Sequence, residues 1–217
     1  MAPFRLCYIT DRKALPRPNQ APGGGSDVGA LGARIAEAIR ARIDVVQVRE
    51  KDLSTRELLA VAESAVRGAR GTSTRVVVND RLDVALALGA AGVHLGQASL
   101  PPEVVHRLAP PDFLMGVSCH SLAEAGQAEA AGADYVLLGP IFETPSKMAF
   151  GPPLGLELLR AVTSRLKIPV LALGGVTAER VCACLDAGAA GIAGIRIFQD
   201  CISVVERVRE LRAQFPD

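Results

Sequence analysis

The chain has 217 residues, with 24 Lys plus Arg against 23 Asp plus Glu, so its formal charge is +1. That balance leaves no broad basic field to hold a nucleic-acid backbone or an anionic membrane by charge alone. With aromatic residues at 4% and no Trp, stacking platforms for single-stranded nucleic acid are also excluded, and no apolar run approaches the ~18 residues of a membrane span. The N-terminal MAPFRLCYIT lacks the long apolar stretch of a signal peptide, so a cytoplasmic location is expected. Cys7, Cys119, Cys182, Cys184 and Cys201 fit no zinc spacing and read as buried or incidental thiols of a reducing cytosol.

Short apolar runs alternate with Ala/Leu-rich helical stretches along the chain. A strand over Leu6–Thr10 is followed by the Pro- and Gly-rich stretch Pro16–Asp27, read as a mobile loop near a site mouth, and then by a helix over Val28–Arg42. A strand over Val45–Arg49 leads to a helix over Thr55–Arg70, with Ser54 or Thr55 before Arg56–Glu57 as its start signal. Arg75–Asn79, Gly92–Leu95 and Phe113–Ser118 are strands, followed by helices over Arg81–Leu88, Pro102–Leu108 and Leu122–Ala131, the last started by Ser121 with Glu124 three residues on. Tyr135–Leu138, Val170–Leu173 and Gly191–Ile195 complete the strands, with helices over Gly155–Arg165, Ala178–Ala187 and Ser203–Gln214.

Eight such units over the chain leave about 27 residues each, enough for one strand, one helix and two short loops. Continuously apolar strands between helices imply a parallel sheet covered on its outside. Eight units favour a single (β/α)8 TIM barrel spanning residues 1–217, an α/β fold, although an open doubly wound sheet fits the same alternation.

The unusual polar residues fall where a strand ends and its helix has not begun, positions that a parallel barrel gathers on one rim. Alternation places Gln47, Arg49 and Lys51 on one face, a guanidinium and an ammonium suited to phosphate oxygens; the structural alternative is an internal salt bridge to Glu50 or Asp52. Asn79–Asp80 offers a carboxylate for a hard cation such as Mg²⁺, or else a cap for the following helix. Gly174–Gly175 exposes backbone N–H groups, a usual phosphate position, although helix-start turns use the same pair. Thr144, Ser146 and Lys147 lie in a long Gly/Pro-rich loop of the kind that covers substrates. His120 is an acid, a base, a donor, or simply a residue leading into a helix; His94 reads as a core or rim histidine. No Ser-His-Asp spacing, Walker loop or dinucleotide fingerprint is present.

The stretches Tyr8-Ile9-Thr10-Asp11, Gln47-Val48-Arg49-Glu50-Lys51-Asp52, Val78-Asn79-Asp80-Arg81, Gly92-Val93-His94-Leu95-Gly96-Gln97 and Gly116-Val117-Ser118-Cys119-His120-Ser121 occur in that order. Ala133-Asp134-Tyr135, Gly139-Pro140-Ile141-Phe142, Thr144-Pro145-Ser146-Lys147 and Ala172-Leu173-Gly174-Gly175-Val176 follow. Together they resemble the thiamine-phosphate synthase family and its relative, the thiazole tautomerase, across essentially the whole chain. The resemblance implies a transferase that couples hydroxymethylpyrimidine diphosphate to thiazole phosphate carboxylate with release of diphosphate. It implies that Gln47, Arg49, Lys51, Asn79 and Lys147 hold the pyrimidine diphosphate, that Asp80 binds Mg²⁺, and that Ser118 sits near the pyrimidine and the leaving group. Lys147, Ser118 and His120 form the implied catalytic set; Thr144, Ser146 and Gly175, with Ile195 and Arg196 after the last strand, are placed at the thiazole phosphate.

The chain departs from the family pattern at two places. Ser99 stands where the family has the Asp that is its second Mg²⁺ ligand, and Gly194-Ile195-Arg196 replaces a Ser-bearing turn. Ser99 is what the tautomerase branch carries; that branch moves a proton on thiazole phosphate carboxylate without metal, with the residue matching His120 as its proton carrier. A non-catalytic barrel that binds thiazole or thiamine phosphate and regulates a partner is the third reading. The expected ligands are small phosphorylated molecules rather than nucleic acid or membrane, and homo-oligomerisation is left open.

Overall fold

Eight parallel strands close into a barrel in sequence order: β1 (Leu6–Ile9), β2 (Val45–Val48), β3 (Arg75–Asn79), β4 (Gly92–Leu95), β5 (Leu114–Cys119), β6 (Tyr135–Leu138), β7 (Val170–Leu173) and β8 (Gly191–Gly194), with β8 pairing back onto β1. The computed structural model describes residues 4–16, 27–144 and 152–216. Closure settles the choice between barrel and open sheet, and the fold is a (β/α)8 barrel. Most of the stretch read as a mobile loop, residues 17–26, lies outside the described residues, as do Ser146 and Lys147.

The helices are α1 (Asp27–Arg40), α2 (Thr55–Ala69), α3 (Leu82–Leu88), α4 (Pro102–Leu108), α5 (Leu122–Ala130), α6 (Gly155–Thr163), α7 (Val181–Asp186), α8 (Arg196–Gln199) and α9 (Val204–Arg212). Ser54 begins α2 with a capping box: its hydroxyl accepts from Glu57 N while the Glu57 carboxylate accepts from Ser54 N. Ser121 and Ser203 cap α5 and α9 in the same way at their N3 amides. The stretch expected as one helix over Ala178–Ala187 is divided, a 3-10 turn over Ala178–Arg180 preceding α7. Among the described residues no helix is long and apolar enough to cross a membrane.

Strand residues divide by parity. Tyr8, Val46, Val78, Val136 and Ile192 face outward and pack with the helices in the larger core. Cys7, Val45, Val77, Leu114, Leu171 and Ala193 face inward and fill the barrel, with Phe4 set edge-on to the Tyr135 ring at 5.6 Å. Each fully buried side chain of this kind contributes about 1.5–3 kcal/mol. A filled interior confines the site to the rim where the strands end.

Candidate active site

The inward position at the C-terminal end of each strand divides the rim into two halves. β2 to β5 place Gln47, Asn79, His94 and Ser118 there, four polar groups in neighbouring strands. The opposite side carries Ile9 on β1, Leu173 on β7 and Ile195 just past β8, all packed against the inner core. A charged group and an uncharged ring are thereby offered different sides of one mouth.

On the polar side the groups form a chain. Gln47 Nε2 donates to Asn79 Oδ1 at 2.8 Å, and Asn79 Nδ2 donates to Asp80 Oδ2 at 2.7 Å. The Ser99 hydroxyl donates to Asp80 Oδ1, and Gly96 N donates to Ser99 Oγ at 2.6 Å. Asp80 holds a left-handed backbone with φ of 60°, and Arg81 N donates to Asn79 O at 2.8 Å to close a three-residue turn around it. Such a conformation costs a residue with a side chain about 1–2 kcal/mol and persists where the surroundings over-determine it. Asp80 is not a helix cap, which corrects that alternative: α3 starts at Leu82 with Arg81 at its N-cap and no side-chain cap bond. Gln47 Oε1 is buried at this end of the barrel and has no hydrogen-bond partner among the described residues.

β2 ends at Val48, so the alternation expected to carry through Lys51 stops before Arg49. Thr10 Oγ1 accepts from Arg49 N at 2.8 Å where the chain leaves the strand. Glu50 turns into the protein, where it accepts from Arg12 N at 3.1 Å and meets the Arg12 guanidinium at 3.2 Å. Asp52 pairs with Arg12 at 2.6 Å and with Lys13 at 2.7 Å, contacts that hold its carboxyl far below the ordinary range. The salt bridge weighed for the Gln47–Lys51 segment therefore exists, but Arg12 makes it. Among the described residues Arg49 and Lys51 join no ion pair; Arg49 is half-buried and Lys51 exposed.

His94 is a core histidine, as expected, and both of its ring nitrogens have hydrogen-bond partners. It is fully enclosed, with Nε2 2.8 Å from Ser118 Oγ and Nδ1 3.3 Å from the Tyr135 hydroxyl. Burial pushes its pKa down from 6.5 to about 3; Asp80 opposes that shift and Arg49 adds to it. The unfolded chain therefore takes up a proton here near pH 6.5, whereas the folded chain does not until about pH 3. Stability is fully present above the unfolded value and falls as pH drops through that window. Denaturant unfolding is expected to show a loss of about 2 kcal/mol from this residue between about pH 7.5 and pH 5. His94→Gln flattens that slope; an unchanged slope would assign it to another group.

His120, past the end of β5, donates from Nδ1 to the Gly139 carbonyl, so its Nε2 is the acceptor when the ring is neutral. Its own N–H donates to Glu124 at 2.7 Å. Thr144 follows β6, and Gly174–Gly175 follows β7. At Gly175 a φ of 65° combines with close packing, since a Cβ would fall 2.5 Å from Glu143 O, so glycine is required there by the loop contact itself. Arg180 ties the two loops together, donating to Gly175 O at 2.8 Å with its guanidinium 4.8 Å from the centre of the Phe142 ring. Ile195 faces the mouth, and Arg196, the first residue of α8, is exposed. Gln199 at the other end of that single turn accepts from Asp11 N at 3.2 Å and donates to Asp11 O at 2.8 Å, joining the loops after β8 and β1.

The donor set tests what cation this mouth suits. Among the described residues no group of three or more His, Cys, Asp or Glu comes together. One carboxylate, Asp80, faces a hydroxyl, Ser99. Mg²⁺ is commonly held by one or two carboxylates together with substrate phosphates, so these residues fit a Mg²⁺ ion shared with a diphosphate and do not form an all-protein cage.

The family model described as thiamine monophosphate synthase matches residues 24–198. A thiamine-phosphate synthase of Methanoculleus marisnigri is 43% identical over 180 residues, covering 83% of this chain and 84% of that one. One of Roseiflexus sp. is 39% identical over 191 residues, covering 83% and 80% respectively. Among solved structures, a thiamine phosphate pyrophosphorylase from Pyrococcus furiosus superposes with a TM-score of 0.82 at 33% identity, covering 97% of this chain and 95% of its own. A match of this extent and identity, on a barrel whose rim carries the polar groups in the expected order, means that the chain belongs to the thiamine monophosphate synthase family.

Proposed function

We propose that the protein is a thiamine-phosphate synthase, coupling hydroxymethylpyrimidine diphosphate to thiazole phosphate carboxylate and releasing diphosphate. The observation that carries this reading is Arg49: half-buried just past the end of β2, close enough to His94 to act on its charge, with no ion pair among the described residues. A partly buried guanidinium that forms no ion pair among the described residues suits an anion that comes and goes. Arg49, Lys51, Gln47 and Asn79 grip the diphosphate in this proposal, and Lys147 adds a second ammonium. Asp80 would hold a Mg²⁺ ion shared with the diphosphate, and the ion would supply further positive charge where the leaving group gathers negative charge. The pyrimidine methylene–oxygen bond breaks with its electron pair passing to the diphosphate. The resulting cationic methylene is met by the lone pair of the thiazole nitrogen, and the ring carboxylate leaves as CO₂, its bonding electron pair staying on the thiazole carbon, to give thiamine phosphate.

This chain's contribution is charge stabilisation on the polar half of the rim and alignment on the apolar half, where Leu173 and Ile195 face the mouth. Thr144, Ser146, Gly175, Ile195 and Arg196 are assigned to the thiazole phosphate. The five free thiols fit a cytoplasmic setting. Purified protein given both substrates with Mg²⁺ is expected to release diphosphate and form thiamine phosphate, and to stop when the metal is chelated.

A second reading is favoured by two specific observations: Ser99 is neutral, and His120 keeps its Nε2 available as a base. As a thiazole tautomerase, the protein would move a proton on thiazole phosphate carboxylate in the presence of chelator and release no diphosphate. Uptake of thiamine phosphate without consumption of either precursor would instead identify a regulatory binder.

A further inference from the structure

Ser118 is half-buried at the mouth, and the hydrogen bond it offers to a substrate is set by what lies beneath it. The pairing of β4, β5 and β6 puts His94, Gly116 and Tyr135 side by side across three strands, all facing the barrel interior. The missing side chain at Gly116 is what allows its neighbours to meet, because a Cβ there would fall 2.2 Å from Tyr135 Cζ and 2.6 Å from His94 Nδ1. Through that gap the Tyr135 hydroxyl reaches His94 Nδ1 at 3.3 Å. On its other edge the ring reaches Ser118 Oγ at 2.8 Å, two residues further along β5 than Gly116. Tyr135 is 0% exposed and His94 1%.

Proton accounting fixes the direction of these bonds. A neutral imidazole carries one N–H, on either Nδ1 or Nε2. Among the described residues the Tyr135 hydroxyl has one hydrogen-bond partner, His94 Nδ1. A proton on Nδ1 would leave the phenol hydrogen facing the apolar barrel without an acceptor, at a cost of about 1–3 kcal/mol. Tyr135 therefore donates to Nδ1, the ring proton sits on Nε2, and Nε2–H donates to Ser118 Oγ. With its oxygen so engaged, Ser118 keeps its own hydrogen for the mouth.

We infer that His94 is a positioning residue that, with Tyr135 behind it, makes Ser118 a hydrogen-bond donor toward the reacting substrate. Its target, a diphosphate oxygen gaining charge as the bond to the pyrimidine breaks, rests on the proposed synthase reading; the tautomer does not.

Nitrogen-15 spectra of the imidazoles test the tautomer directly. The chain has three histidines, and His94→Gln identifies the signals of position 94 by their loss. The expected result is a protonated Nε2 and a bare Nδ1 at neutral pH, a preference that disappears in Tyr135→Phe. A ring protonated at Nδ1 in the unaltered protein overturns the inference whatever the activity. Kinetics supply the second test. Tyr135→Phe and His94→Leu are expected to lower kcat by about 10²-fold, with KM for the diphosphate substrate little changed. His94→Gln, whose amide N–H₂ replaces Nε2–H, is expected to stay within about tenfold of the unaltered enzyme. Should His94→Leu fail to fold, Tyr135→Phe carries the comparison, since it removes a single oxygen. Equal losses in Tyr135→Phe and His94→Gln overturn the donor role. A protein that shows the expected tautomer yet releases no diphosphate refutes the synthase reading and leaves the network standing.

Discussion

Replacing Arg49 with alanine is expected to lower kcat/KM for thiamine phosphate formation by about 10²–10³-fold without lowering the unfolding midpoint. The two halves of that result have one cause. Arg49 is half-buried and joins no ion pair among the described residues, because Arg12 occupies both neighbouring carboxylates, Glu50 and Asp52. A partly desolvated charge with no partner adds nothing to the folded state, and its removal also relieves a repulsion that helps keep His94 unprotonated. In the proposed function the diphosphate supplies the partner that Arg49 lacks in the free protein, so the loss of this donor is expected to act on the departure of the leaving group. A structural arginine behaves in the opposite way. Arg12 shields Glu50, whose side chain is 1% exposed, and removing such a partner strands a buried charge. Steady-state kinetics and thermal unfolding of Arg49→Ala therefore separate the roles. A fall of several degrees in the midpoint with nearly intact turnover would return Arg49 to the scaffold.

The strands were legible almost to the residue because each is a short, largely apolar run, as a strand covered on both faces must be, interrupted in β2 to β5 by the mouth residues Gln47, Asn79, His94 and Ser118. Arg49 and Lys51 were legible as cations suited to phosphate, but the sequence left an internal salt bridge open. Alternation ends at Val48, and among the described residues the neighbouring carboxylates are taken by Arg12, a residue from the loop after β1 whose ion pairs are tertiary. The hydrogen-bond network of His94 was not legible. A single histidine in an apolar strand looks like core, and its partners come from β5 and β6, joined to it only through the register that brings Gly116 between His94 and Tyr135. Arg180 escaped for the same reason, since it clasps Phe142 from one loop and Gly175 from another. α8 escaped because four residues make one turn and show no period. The Asn79–Asp80 pair was legible in composition, but that Asp80 does not cap α3 could not be read from it, since the left-handed turn at Asp80 leaves Arg81 at the N-cap.

Substituting Ser99 with aspartate is expected to make thermal stability depend on Mg²⁺ with no diphosphate present. The Ser99 hydroxyl now donates to Asp80 Oδ1 and relieves part of its charge. A carboxylate in its place removes that donor and sets two like charges in contact, a repulsion of about 1–2 kcal/mol once the exposure of Asp80 is allowed for. The metal-free variant should unfold a few degrees below the unaltered protein. A divalent cation binding between the two carboxylates then stabilises the folded state by an amount that grows with the logarithm of its concentration. The unaltered protein, offering one carboxylate, should show a nearly flat midpoint across the same Mg²⁺ range until diphosphate is added and supplies the missing oxygens. Equal Mg²⁺ dependence in both proteins would mean that Asp80 and the Ser99 hydroxyl already form a complete site. Flat behaviour in both, with no loss of stability in the metal-free variant, would mean that position 99 does not face Asp80 as the hydrogen bond requires. The rising curve in the variant alone would show that this mouth receives its cation together with the diphosphate because position 99 carries a neutral hydroxyl in place of a carboxylate.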